Sequence, residues 1–223
     1  MNRSVVAVAL TLGLAVASAA AAQDPIKTNP KVYHLMFENP TVRVLHVTVA
    51  PGGKTVLHEH PDNAVLVLAD SKMRFTGPDG KSQDVEMKAN DSFWSPAGKH
   101  FGENTGTAAI EAIIVELKGS AAPTATLPAS RPNVTLTELF DNARARAIRA
   151  TLEPAFQEAP GTTHDYDQVV IALAPSEISL QVEGKAAKTN WKRGDAEFIG
   201  RGVKHESKNT GQKPADVYIL AIK

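Results

Sequence analysis

The chain is 223 residues long, enough for one large or two small domains. Hydrophobic residues make up 43% and charged residues 22%, and Lys+Arg (24) balance Asp+Glu (24), so there is no basic excess from which to build a nucleic-acid-binding surface. The absence of cysteine excludes disulfide scaffolds, thiolate metal sites and cysteine nucleophiles.

Met1-Asn2-Arg3-Ser4 is a short, positively charged start. Val5 to Val16 is apolar apart from Thr11 and Gly13, and Ser18 to Ala22 is rich in small residues. This pattern predicts a secretory signal peptide over residues 1–22, cut after Ala22. The run is short and alanine-rich for a membrane span of ~20 residues. With no twin arginine and no cysteine at the cut, neither Tat export nor a lipoprotein is indicated. The expected mature protein is secreted or periplasmic and has no membrane segment after cleavage.

Residues 23–31, polar with two prolines, are expected to be a tail. Val42 to Val49 is β-branched and bounded by turn residues, hence a strand. Next comes Leu57-His58-Glu59-His60-Pro61-Asp62. Residues two apart on a strand share a face, so His58 and His60 point one way and Glu59 the other. Two imidazoles on one face are half of a metal site. His100 follows in Ser95-Pro96-Ala97-Gly98-Lys99-His100, trailed by Phe101-Gly102-Glu103-Asn104. Turns such as Gly77-Pro78-Asp79-Gly80 separate short apolar runs, as in an all-β fold.

The second half repeats the first. Phe37, Asn39, Arg43, Thr48 and Pro51 recur as Phe140, Asn142, Arg146, Thr151 and Pro154, an offset of 103. The Ala/Arg richness of residues 144–152 alone would suggest a helix. The repeat overrides that preference and predicts a strand. His60 falls on His164, His100 on His205 and Asn104 on Asn209, while Thr162 stands where His58 would be. The Ala-, Pro-, Ser- and Thr-rich stretch 119–133 reads as a linker between domains 23–118 and 134–223. Its composition predicts halves that unfold separably and are nicked first between Gly119 and Asn133. A shared buried face would instead make one unit.

These motifs resemble those of the cupin superfamily. The first reads Gly53-x4-His58-x-His60 and the second Asn90-Asp91-x4-Pro96-x-Gly98-x-His100-x3-Asn104. There are three departures. The glutamate slot holds Ala64 or Val65, the glycine before Asp91 is Asn90, and the loop before His100 is one residue short. The stretch from Glu38 to Lys118 looks most like small single-domain bacterial cupins. The resemblance implies an all-β chain of two tandem cupin (double-stranded β-helix, or jelly-roll) barrels after the signal peptide, a bicupin. It implies a divalent transition metal (Fe, Zn or Mn) on His58, His60 and His100, without the usual glutamate ligand. In the second copy Gln168 fills the glutamate slot and two histidines are too few for a tight site, so that copy is expected to hold no metal. Two functions follow from the resemblance. One is a metal-dependent dioxygenase or isomerase acting on a small-molecule ligand. The other is a non-catalytic ligand-binding cupin whose histidines merely hydrogen-bond one another. No nucleic acid is an expected partner, and a homo-oligomer is left open.

Overall fold

The computed structural model describes residues 23–119 and 130–223. The leader predicted over residues 1–22 and positions 120–129 of the expected linker lie outside the described residues. The architecture is all-β, with one helical turn, α1 (Pro25–Thr28), at its start. Among the described residues no helix is long and apolar enough to cross a membrane.

The first half contains β1 (Tyr33–Glu38), β2 (Val42–Val49), β3 (His58–His60), β4 (Asn63–Val67), β5 (Ser71–Thr76), β6 (Ser82–Met87), β7 (Ser92–Ser95), β8 (Gly98–Asn104) and β9 (Ile110–Leu117). They form a five-stranded sheet in the order β1-β2-β9-β4-β7 and a four-stranded sheet β3-β8-β5-β6. The second half contains β10 (Val134–Asp141), β11 (Ala145–Leu152), β12 (Asp167–Ala172), β13 (Ile178–Val182), β14 (Lys185–Lys188), β15 (Ala196–Ile199), β16 (His205–Asn209) and β17 (Ala215–Ile222). Its five-stranded sheet runs β10-β11-β17-β12-β15, the same order, and its second sheet is β14-β13-β16. The strand predicted over residues 144–152 is β11. The counterpart of β3 is reduced to a single bridge, Thr162 to His205.

Side-chain alternation on the large sheets creates two kinds of core. On β2, Leu45, Val47 and Val49 face the four-stranded sheet, packing with Met73 and Met87. Val42 and Val44, on the opposite face, pack into a cluster to which each half contributes eight buried residues. On β9, Ile113, Val115 and Leu117 join that shared core, against Tyr218, Leu220 and Ile222 of β17. Both faces of these strands are therefore covered, which explains their nearly continuous apolar sequence. Ser92 Oγ and Tyr218 Oη, 3.1 Å apart, and Arg144 and Asp62, 3.0 Å apart, add polar links between the halves.

Two local expectations change. Residues 23–31 do not form a loose tail. Asp24 caps α1 by accepting from the N–H of Ile26 and ion-pairs with Arg43. The Gln23 carbonyl accepts from the Glu59 N–H at 2.9 Å, and the buried Asn29 side chain accepts from the Val56 N–H at 2.8 Å. Asn90, which departs from the motif glycine, has φ +73, and its counterpart Gly194 has φ +83. Asparagine is among the few residues that tolerate this left-handed backbone, so the turn survives the substitution.

Candidate metal centre

His58 and His60 lie on β3 with both side chains buried, as the two-residue alternation requires. His100 comes from β8, paired antiparallel with β3 so that His58 stands directly opposite His100. The third imidazole thus arrives from the neighbouring strand. Ring centroids are 4.5 Å apart for His58 and His100, 5.0 Å for His58 and His60, and 5.5 Å for His60 and His100. One ring nitrogen from each lies within 4.8 Å of the others.

Hydrogen bonds fix the tautomers. His60 Nδ1 is 2.6 Å from Glu116 Oε1, and a carboxylate can only accept, so Nδ1 carries the proton. His60 Nε2 then bears the lone pair, and it is buried without a hydrogen-bond partner. His58 Nδ1 donates to the Val56 carbonyl at 2.8 Å, and its Nε2 accepts from the Tyr33 hydroxyl at 2.7 Å. Burial, aided by the neighbouring imidazoles, lowers the pKa of His58 to about 4 and that of His100 to about 3. Both rings are therefore neutral at physiological pH, the form that binds a metal.

Behind His60 runs a chain of charges. Glu116 also receives Arg43 Nε at 2.5 Å, and Arg43 in turn pairs with Asp24. Burial raises the Glu116 pKa, but the bonds from His60 and Arg43 outweigh it and hold the carboxyl below its usual range. Glu116 is on the face of β9 that carries Ala112 and Ile114, so it points toward the histidines. It meets Nδ1, the far side of the His60 ring from the lone pair. That is the place of a carboxylate that orients a ligand. Ala64, in the expected glutamate slot, packs into the shared core, and Val65 lines the cavity with an alkyl chain. Neither can ligate. Glu59 and Glu103 pair instead with Lys99 and Lys54, at 3.3 and 3.1 Å.

A cavity of about 840 Å³ opens beside His60 and His100, walled by Tyr33, Met73, Phe75 and Trp94 and rimmed by Glu138 and Leu139 of the second half. The corresponding cavity of the second half is about 80 Å³.

In that second cavity the structure corrects the two-histidine count. Glu158, His164 and His205 bring ligand atoms within 4.8 Å of one another. Glu158, Tyr33 and Glu116 were all missed in the sequence. For Glu116 a signal existed, a carboxylate inside the apolar run Ile113-Ile114-Val115-Glu116-Leu117. A residue of that kind is almost never fully buried unless paired.

No family model and no curated protein matches the chain. Solved structures do. AerE from Microcystis aeruginosa superposes with a TM-score of 0.64 at 13% identity, over 86% of this chain and 97% of that one. A cupin 2 conserved barrel domain protein from Leptotrichia buccalis gives 0.56 at 10% identity, over 86% and 88%. A salicylate 1,2-dioxygenase from Pseudaminobacter salicylatoxidans gives 0.60 at 12% identity, over 82% and 71%. The chain has the cupin fold. Identities this low speak to fold and not to function.

Proposed function

We propose that the chain is an exported bicupin whose first barrel binds a divalent transition metal (Fe, Zn or Mn) through His58, His60 and His100. It acts there on a small molecule as a metal-dependent oxidoreductase of the dioxygenase kind. The observation that carries this reading is His60 Nε2, a buried lone pair with no partner, aimed at two further neutral imidazoles. Leaving such an atom unsatisfied costs about 1–3 kcal/mol unless something binds it. A metal held there would supply open coordination positions for dioxygen and substrate, or, if Zn, polarisation of a carbonyl.

The chain's own residues do the rest. Glu116 holds the His60 ring in one tautomer, and Val56 does the same for His58. None of the described residues lining the larger cavity is Lys or Arg, and of its carboxylates Glu86 is paired with Lys72 and Glu138 with Arg146. Three neutral imidazoles would leave the charge of a divalent ion uncompensated, so the metal itself would be the feature of the site that attracts an anionic group on a substrate.

The second reading is a non-catalytic ligand-binding barrel. The Tyr33 hydroxyl on His58 Nε2 favours it, because that hydrogen bond satisfies the imidazole without a metal. Metal analysis of the mature protein from the exported fraction, followed by oxygen-uptake measurements with small neutral and anionic aromatic compounds, separates the two. Redox-active iron with substrate-dependent oxygen consumption supports the enzyme. Protein that neither retains nor takes up a divalent metal supports the binding module.

A further inference from the structure

The small cavity of the second half holds an arrangement that the repeat does not predict. His205 Nδ1 lies 3.0 Å from the Val203 carbonyl, to which it must donate. In the neutral form the ring's lone pair is then on Nε2, as in His58. That nitrogen is 3.8 Å from Glu158 Oε2, beyond hydrogen-bonding distance. Their side chains are 2% and 8% exposed, so an imidazole nitrogen and a carboxylate oxygen face each other in a buried site without a hydrogen bond between them. His164 completes the group, its ring centroid 4.8 Å from that of His205 and stacked on Tyr166.

Glu158 is tightly oriented. Oε1 receives Arg131 Nη2 at 2.9 Å, and Oε2 receives the Ser207 N–H at 3.0 Å and the Ser207 hydroxyl at 2.6 Å. A carboxylate has about four lone-pair positions, two on each oxygen, so the two Ser207 bonds occupy Oε2 and one position remains on Oε1 beside Arg131. Backbone pairing identifies its counterpart. The Glu158 N–H donates to the Ser207 carbonyl as that of Thr55 donates to Gly102, and the Thr55 hydroxyl accepts from the Gly102 N–H. Glu158 thus stands where the first half has Thr55, while Gln168 occupies the expected glutamate slot. The second half has lost one histidine, to Thr162, and has a carboxylate from another position.

We infer that Glu158, His164 and His205 form a second divalent-metal site, of two histidines and one carboxylate, in the small cavity of the second half. This donor set suits Zn²⁺ or Fe²⁺. Ligand atoms at ~2.0–2.1 Å from a tetrahedral ion lie roughly 3.3–3.5 Å apart, so a group whose atoms lie within 4.8 Å of one another closes onto it by at most about 1.4 Å. A cavity of about 80 Å³ leaves room for two or three waters, each occupying ~30 Å³, or one very small ligand. Arg131, paired with the Glu158 carboxylate at 2.9 Å, competes for it and makes this the weaker of the two sites.

Cobalt(II) titration of the full mature chain, read by visible absorbance and by bound metal per chain, tests the inference. The wild type should bind two ions, His60→Ala one, and His60→Ala with Glu158→Gln none. Glutamine keeps the shape of the side chain, and a circular-dichroism melt checks that each variant is folded. A folded His60→Ala protein that binds no cobalt overturns the second site. A wild type that binds one ion, lost in Glu158→Gln and kept in His60→Ala, upholds the second site and overturns the first.

Discussion

His60 Nδ1 and Glu116 Oε1 are 2.6 Å apart, although 56 residues separate them in the chain. The strand order explains the meeting. β9 is central in its sheet and directs Ala112, Ile114 and Glu116 toward the lumen, so the carboxylate approaches the inward-facing His60 from behind. In the second half the Cα partner of Arg146 is Ala221, where Arg43 has Glu116. His164 accordingly lacks the support that His60 has. The first site should be the better organised of the two.

Replacing Glu116 with glutamine should lower metal affinity of the first site by about 10–100-fold, the usual effect of losing a carboxylate behind a ligating histidine. The same change removes the charge opposite Arg43 in a site where Glu116 is 1% exposed. Breaking a buried pair costs about 3–5 kcal/mol, and Asp24 remains to partner Arg43, so a loss near the lower end is expected. Chelator competition and urea unfolding read the two effects. Wild-type affinity in Glu116→Gln would show that Glu116 does not support the ligand.

Tyr33→Phe should strengthen metal binding. The Tyr33 hydroxyl occupies the lone pair of His58 that a metal needs, and a net hydrogen bond of about 1 kcal/mol corresponds to roughly fivefold in affinity. A weaker-binding Tyr33→Phe protein would mean that the phenol oxygen itself joins the coordination.

The shared core predicts one unfolding transition. Eight buried residues from each half meet there, and burying a Val, Leu or Ile side chain contributes about 1.5–3 kcal/mol, so neither half keeps its packing when the other unfolds. This revises the separable unfolding that the linker composition suggests. Calorimetry of the metal-free protein should show a single peak. Two resolved transitions would count against a common core.

The legible parts of the sequence were those that repeat or alternate. The offset of 103 places β11 on the register of β2 despite an Ala/Arg composition that favours helix, because the strand's partners were already defined by the first copy. His58 and His60 were legible as a same-face pair from spacing, and His100 joined them through the resemblance to the cupin motifs. Tyr33, Glu116 and Glu158 were not legible, since each reaches its histidine from a different strand or loop, through register that spacing within a motif does not encode. Residues 23–31 misled for a related reason. Their polar side chains are consumed in capping α1, pairing with Arg43 and bonding to Val56, and composition does not distinguish those uses from solvation.

The metal-free protein should lose stability as pH falls below about 6.5. Burial depresses the pKa of His58 to about 4 and that of His100 to about 3, while in the unfolded chain both titrate near the ordinary histidine value of 6.5. Between about pH 6.5 and 4 the unfolded state therefore binds protons that the folded state refuses. Stability rises with pH wherever the unfolded state is the more protonated, so acidification destabilises the fold, by up to ~1.4 kcal/mol per pH unit for each histidine. The two rings lie side by side, so their protons are taken up as a pair rather than independently. Glu116, held below the usual carboxylate range, adds a loss in the same direction at the acid end. Bound metal should deepen the dependence, because it stabilises the neutral rings further and is expelled when they protonate. Urea midpoints of metal-free protein between pH 7.5 and 4.5 measure this directly. The midpoint should be flat above pH 7 and fall below 6.5, and replacing His100 with glutamine should flatten the fall. A midpoint that stays level to pH 4.5 would mean that the histidines titrate alike in the folded and unfolded chains, and are not held neutral in a closed site.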